Sequence, residues 1–235
     1  MKKWMLLCGA LMICVLLGRM EEPALTADAG AELTAETKYV ALTFDDGPKR
    51  GTTDVLLDGL RERGVSATFF LIGSQMAANR DLVARMAAEG HQVGNHTWSH
   101  ARLQGVGIAV IEAELSRTDE LLTAILGEGE DWVRPPYGQL ETWERPLVDV
   151  PLVQWNVDTR DWESRDAEKV LAAILEAVEP GSIILLHDIY QPSVEAALEI
   201  VDRLQAKGYW FVTVEELLRL YGIAPQPGVM YRSGK

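Results

Sequence analysis

The chain has 235 residues, 48% of them hydrophobic, and a formal net charge of −13. That length supports one core-bearing domain. The acidic balance argues against binding nucleic acid through its phosphates, and no such partner is expected. Residues 1–30 hold three cations, Lys2, Lys3 and Arg19, and three acids, Glu21, Glu22 and Asp28, so the charge belongs to the remainder.

Lys2-Lys3 opens an apolar run from Trp4 to Leu17, followed by Gly18-Arg19. A charged start with so short a run matches a secretory signal and falls short of a membrane span. Ala27-Asp28-Ala29 has the form of a cleavage site but lies about ten residues beyond the run, which leaves an uncleaved anchor as the alternative. Residues 1–20 are thus expected to act as signal peptide or signal anchor, placing the rest outside the cytoplasm, secreted or membrane-anchored. Cys8 and Cys14 both fall in this segment, and Leu11-Met12-Ile13 lacks the small residues that precede a lipidated cysteine. The remainder has no cysteine, hence no disulfide and no thiol chemistry. Residues 21–37, rich in Ala, Glu and Thr, read as a linker.

From Lys38 the pattern alternates. Strand-like runs occupy 39–44, 65–72, 91–95, 131–134, 152–157, 182–187 and 209–214. Helical segments span Thr53 to Arg63, closing at Gly64; Asp81 to Glu89, closing at Gly90; and Ile108 to Leu126, closing at Gly127. Further helices run from Ala167 to Val178, before Pro180-Gly181, and from Val194 to Lys207, before Gly208. Glycine just past each periodic run is the expected left-handed cap. Val214 to Tyr221 makes a last helix; residues 38–222 form the domain and 223–235 a tail bearing Pro and Gly.

Seven strands alternating with helices imply parallel βα units, either closed into a barrel or open and doubly wound. Polar residues fall at the C-terminal ends of five runs: Asp45-Asp46, Asn95-His96, Arg134, Asp158 with Asp161, and His187-Asp188. A barrel builds its site from such ends, whereas an open sheet gathers them at one switch point. Seven units in about 185 residues predict a distorted or incomplete (β/α)7 barrel.

Thr43-Phe44-Asp45-Asp46-Gly47-Pro48 sets two carboxylates before a turn, and His96-Thr97-Trp98-Ser99-His100 sets two imidazoles four residues apart. On one helical turn such histidines face the same way. An Asp-Asp-Gly-Pro run alone is equally an Asx-type turn, and a lone histidine pair equally a surface pair. Together they offer Asp46, His96 and His100 as ligands for a divalent metal, with Asp45 left over as a general base. Asn95 and Thr97 would orient the rings. His91, at the start of its strand, is expected to be structural. Arg134-Pro135-Pro136-Tyr137-Gly138 is a stiff loop that could fix the Tyr137 amide, and its guanidinium would hold Asp45 ionised. His187 is either a satisfied core histidine or a general acid, with Asp161 as a partner that would keep it protonated. Trp98 and Trp162 are each core residues or sugar platforms.

These five segments, T-F-D-D-G-P (43–48), H-T-W-S-H (96–100), R-P-P-Y-G (134–138), D-T-R-D-W (158–162) and L-L-H-D (185–188), resemble the ordered motifs of the polysaccharide deacetylases. This is the NodB homology domain, or carbohydrate esterase family four. The resemblance covers about residues 38–220 and implies a distorted barrel with one divalent metal. Zinc is the expected ion, with Co2+, Ni2+ or Mn2+ as alternatives, on Asp46, His96 and His100. It also implies Asp45 as base assisted by Arg134, His187 as acid assisted by Asp161, and the Tyr137 amide as an oxyanion donor. Trp162 and Leu185 would line the pocket for sugar and acetyl methyl. The expected reaction removes N-acetyl groups from an N-acetylated glycan, peptidoglycan or chitin-like, by a monomer. An O-acetyl glycan esterase and a catalytically silent glycan-binding barrel are the competing expectations. Substrate choice is expected to lie in loops 73–80, 101–107 and 188–193.

Overall fold

β1 (Lys38–Asp45) runs through the middle of the fold, and its residues Val40 to Phe44 are fully buried. A strand covered on both faces reads as an unbroken apolar run, as parallel strands do. A computed structural model describes residues 37–127, 129 and 132–235 of the chain. The expected signal segment, linker and Cys8 and Cys14 lie outside the described residues. Among those described, no helix is long and apolar enough to cross a membrane.

The second half of β1 pairs in parallel with β2 (Thr68–Leu71) and with β6 (Ile183–His187). Its first half pairs with β7 (Tyr209–Phe211), and β2 pairs with β3 (Gln92–Asn95). The connections carry α1 (Thr53–Arg63), α2 (Gly73–Met76), α3 (Arg80–Ala88) and α4 (Ile108–Leu126). Later come α5 (Asp161–Ser164), α6 (Ala167–Ala177), α7 (Gln191–Ala206) and α8 (Val214–Leu220). α1, α3 and α7 press Leu56, Leu57, Leu60, Val83, Met86, Ile200 and Leu204 onto the strands. Each such side chain contributes roughly 1.5–3 kcal/mol on burial. Gly64 and Gly127 end α1 and α4 at positive φ, 61° and 88°, as their place after a periodic run requires. α7 starts three residues before the expected Val194, because Pro192 sits in its first turn, where no N–H is needed.

The expected fourth and fifth strands are changed most. Among the described residues of 131–134, only Val133 bridges, to Asn95 on one side and Leu152 on the other. The run 152–157 splits into β4 (Leu152–Val153) and β5 (Val157–Asp158). Between the two halves the Gln154 carbonyl accepts a bond from the Arg134 guanidinium, and its N–H donates to Tyr231. Backbone groups committed elsewhere cannot continue one ladder. β5 pairs with β6, while β4 pairs with β8 (Met230–Tyr231). Part of the expected tail is therefore paired: β8 lies on β4, and Ser233 bridges Ser182 just before β6. The architecture is a distorted (β/α)7 barrel, with its closure passing through a broken strand.

His91 is buried at the foot of β3, and its Nδ1 accepts the Ala67 N–H at 3.1 Å. Burial, the main cause, lowers its pKa to about 4. It stays neutral and structural, as expected.

Candidate active site

Asp45 is the last residue of β1, and Asp46 follows with φ of 74°. That left-handed turn, which aspartate tolerates better than most residues, lets two adjacent carboxylates serve one site from different directions. Gly47-Pro48 is a cis peptide. At the end of β3, His96 N–H still bonds to the Leu71 carbonyl, after which the chain leaves the sheet. Residues 96–100 form no helical turn. Thr97 and His100 have φ of 67° and 60°, so a loop, and not helical spacing, brings the two rings to 5.0 Å between centroids. Asn95 shapes that loop: its Oδ1 accepts the Thr97 N–H at 2.8 Å, and its Nδ2 donates to the Leu115 carbonyl and to Asp119.

One atom from each of Asp46, His96 and His100 lies within 4.8 Å of the others. Asp46 Oδ1 is 3.6 Å from His96 Nε2 and 3.3 Å from His100 Nε2. That oxygen is buried without a hydrogen-bond partner, a costly state that a cation would relieve. His96 Nδ1 lies 2.7 Å from the Arg134 carbonyl, which can only accept, so the proton sits on Nδ1 and Nε2 keeps its lone pair. Burial, followed by the neighbouring His96, lowers the His100 pKa, favouring the neutral form a ligand needs. The three residues could hold a divalent metal.

Arg134 and Asp45 are both buried, and the guanidinium donates to Asp45 Oδ1 at 2.7 Å. It also donates to Thr43 Oγ1 and to the Gln154 carbonyl, and packs 4.2 Å over the Phe70 ring. Asp45 Oδ2 is left 3.7 Å from His96 Nε2, beside the candidate metal position. The neighbouring strand, β6, carries the other pair, with His187 in register beside Asp45. His187 ends β6, and its Nδ1 lies 2.8 Å from Asp161 Oδ1. Asp161 is fully buried, and its Oδ2 accepts from the His187 N–H and from Ser193 Oγ. Burial opposes charge on His187, but the bond to Asp161 and the nearby Asp45 and Asp46 outweigh it and raise its pKa to about 9. A cation between the aspartates would offset part of that rise.

Asp45, Asp46, His96, His100 and His187 line one cleft of 380 Å³, together with Tyr137, Trp155, Asp158, Trp162, Leu185 and Tyr190. Tyr137 sits in the tight turn Pro136–Gly138 at φ 62°, with its ring against His100 at 4.8 Å. Trp162 is exposed at the cleft, whereas Trp98 packs against the core under the Arg117 guanidinium and next to Gly73. Trp98 is therefore the core residue of the two.

The family model for polysaccharide deacetylase matches residues 32–147. A solved structure described as T48 deacetylase with substrate is 42% identical, with a TM-score of 0.80, over 83% of this chain and 96% of that one. The chain belongs to the polysaccharide deacetylase family. A family 4 acetyl xylan esterase from Clostridium thermocellum in complex with a cobalt ion is 34% identical, with a TM-score of 0.79, over 83% of this chain and 98% of that one. The peptidoglycan-N-acetylglucosamine deacetylase PgdA of Listeria monocytogenes is 37% identical over 83% of this chain, which spans 41% of the length of that relative.

In this member of the family, several site neighbours escape a reading of the motifs. Thr43 holds Arg134 and donates to the Ile184 carbonyl, and Ser193 completes the shell of Asp161. Trp155 and Tyr190 line the cleft from outside any motif. The alternation of β1 could have flagged Thr43; nothing in the sequence marks Ser193, Trp155 or Tyr190. Asp188, quoted within a motif but given no role, is fully buried, bonded through one oxygen to Thr53 Oγ1 and packed on Gly47. Burial, the largest cause, and the nearby Asp46 raise its pKa to about 7.

Proposed function

We propose that the protein is a metal-dependent hydrolase that removes N-acetyl groups from amino sugars of a polysaccharide, peptidoglycan or chitin-like, and releases acetate outside the cytoplasm. One observation carries this reading: two separately supported proton-handling groups, Asp45 on Arg134 and His187 on Asp161, flank the Asp46, His96 and His100 cluster in one cleft. Asp46, His96 and His100 would hold the ion, with zinc expected and cobalt, nickel or manganese as alternatives. When bound, it supplies a Lewis acid that polarises the acetyl carbonyl and acidifies the attacking water.

The protein's own groups do the rest. Asp45, aimed by its bond from Arg134, takes the water proton through its free Oδ2 as oxygen attacks the acyl carbon. The Tyr137 N–H, in the tight turn Pro136–Gly138, would donate to the developing oxyanion. His187, held protonated by Asp161, delivers a proton from Nε2 to the sugar nitrogen as the C–N bond breaks. The free amine and acetate result. Trp162 offers an indole face to the sugar ring, and Leu185 an apolar wall to the methyl group.

A second reading is an O-acetyl glycan esterase, favoured by the likeness to the acetyl xylan esterase and by identical demands on base and ion. The acid is less needed there, because an alkoxide leaves more readily than an amine anion. A silent binding barrel would not need both supported pairs. Acetate release from matched N-acetylated and O-acetylated glycans, with and without a chelator, tests all three. Chelator-sensitive release from the amide is expected, and release from the ester alone would replace this reading with the second.

A further inference from the structure

A second cleft of 240 Å³ adjoins the first, sharing Asp46 and His100 with it, and is completed by Lys49, Ile72, Gln75 and Ile189. The shared lining makes it a continuation along which a chain bound in the first cleft can extend. Lys49 is the cation in its lining, and one of its three donors is spent on the Ile189 carbonyl at 2.9 Å. Its backbone N–H bonds to Thr53 Oγ1, which anchors the residue directly after the Asp46 turn. Two further cations stand at the mouth of the first cleft, Arg102 over the Tyr137 ring at 4.8 Å and Arg165 over the Tyr190 ring at 4.3 Å. None of the three makes an ion pair among the described residues, whereas Arg50, Arg61, Arg63, Arg85, Arg160 and Arg203 all do. The acids lining the two clefts are Asp45 and Asp46, committed to Arg134 and the histidines, and Asp158, whose Oδ1 accepts the Arg160 N–H.

A surface of net charge −13 repels an anionic polymer at distances within the screening length, about 8 Å at physiological salt. Unpaired cations gathered at the cleft reverse that locally. Resting on the deacetylase reading above, we infer that the second cleft is a subsite for a carboxylate-bearing sugar, with Lys49 as the specificity-determining contact. The substrate this favours is a glycan whose N-acetylated sugars carry an acidic ether substituent, as the lactyl group of peptidoglycan does, over neutral chitin-like chains.

The test compares a tetrasaccharide of alternating N-acetylglucosamine and N-acetylmuramic acid with the same compound amidated at its lactyl groups, which removes charge and keeps bulk. The wild-type protein should prefer the acid form in kcat/KM. Lys49→Met should lower that acid-to-amide ratio about tenfold, the scale of one charge-assisted hydrogen bond. Lys49→Arg should retain most of it, and added salt should narrow it in the wild type. An unchanged ratio in Lys49→Met would overturn the subsite. Calorimetric binding of both compounds to Asp45→Asn protein, with and without Lys49→Met, reads the same contrast without turnover. Absence of acetate release from every glycan would count against the deacetylase reading alone, whereas equal affinities for acid and amide would count against Lys49 alone.

Discussion

Asp45 and Asp46 are chemically identical neighbours that the backbone turns to different partners. Asp45 keeps strand geometry and falls under the buried Arg134, while Asp46, at φ 74°, turns an oxygen without a hydrogen-bond partner toward two imidazoles. Asp45→Asn should therefore retain metal, measured by elemental analysis of dialysed protein, while kcat falls by about 10²–10⁴, the usual range for a positioned base. Retained turnover would remove Asp45 from that role. His187 gives a second outcome at this scale. Its folded pKa of about 9 lies above the ordinary 6.5, so its proton adds stability that is fully present below about pH 6.5 and lost as pH rises through 9. In chelated protein, thermal midpoints should decline across that window, and the decline should shrink in His187→Gln. The clustering of these residues was legible because they fall at strand ends. The partners that tune them were less so: Ser193 lies six residues after His187 on α7, and only the fold folds its hydroxyl back to Asp161.

Elements with one strong local signal were legible almost to the residue. α1 and α4 have an apolar stripe and a glycine stop, and both run as expected. Elements defined by competition for backbone partners were not. Nothing local in 152–157 announces that Gln154 will give its carbonyl to Arg134, nor that the 96–100 segment will take left-handed residues instead of a helical turn. The junction of β1 and β6 carries its own prediction. Asp188 packs its carboxyl on Gly47 and bonds Thr53 at the head of α1, joining three elements in a space without water access. Its pKa of about 7 is raised above the ordinary 3.8, so it favours the folded state fully below pH 3.8 and loses that contribution as pH rises through 7. Denaturant titrations should show Asp188→Asn removing this part of the pH dependence, with stability at pH 8 falling less than at pH 4. A wild-type slope left intact would show that Asp188 ionises freely in the fold.

At the scale of the molecule, the barrel depends on its last residues. β8 covers β4, the Gly234 N–H reaches the Gly181 carbonyl, and Ser233 bridges Ser182 at the entrance to the strand that ends in His187. Composition alone reads 223–235 as a tail, because Pro and Gly mask a strand only two residues long. Ending the chain after Gly222 should lower the thermal midpoint by several degrees, since a loss of about 1 kcal/mol shifts a domain of this size by about 2–4 °C. A midpoint equal to that of the intact protein would make the segment dispensable.

Arg134 touches both halves of the site with different ends of one residue: its carbonyl takes the His96 Nδ1 proton, and its guanidinium grips Asp45. A side-chain exchange at 134 alters only the second grip. A change in the length of the connection from α4 displaces the backbone and disturbs both together. Ligand geometry and base alignment thus share a single adjustment, and drift in that connection cannot trade one against the other.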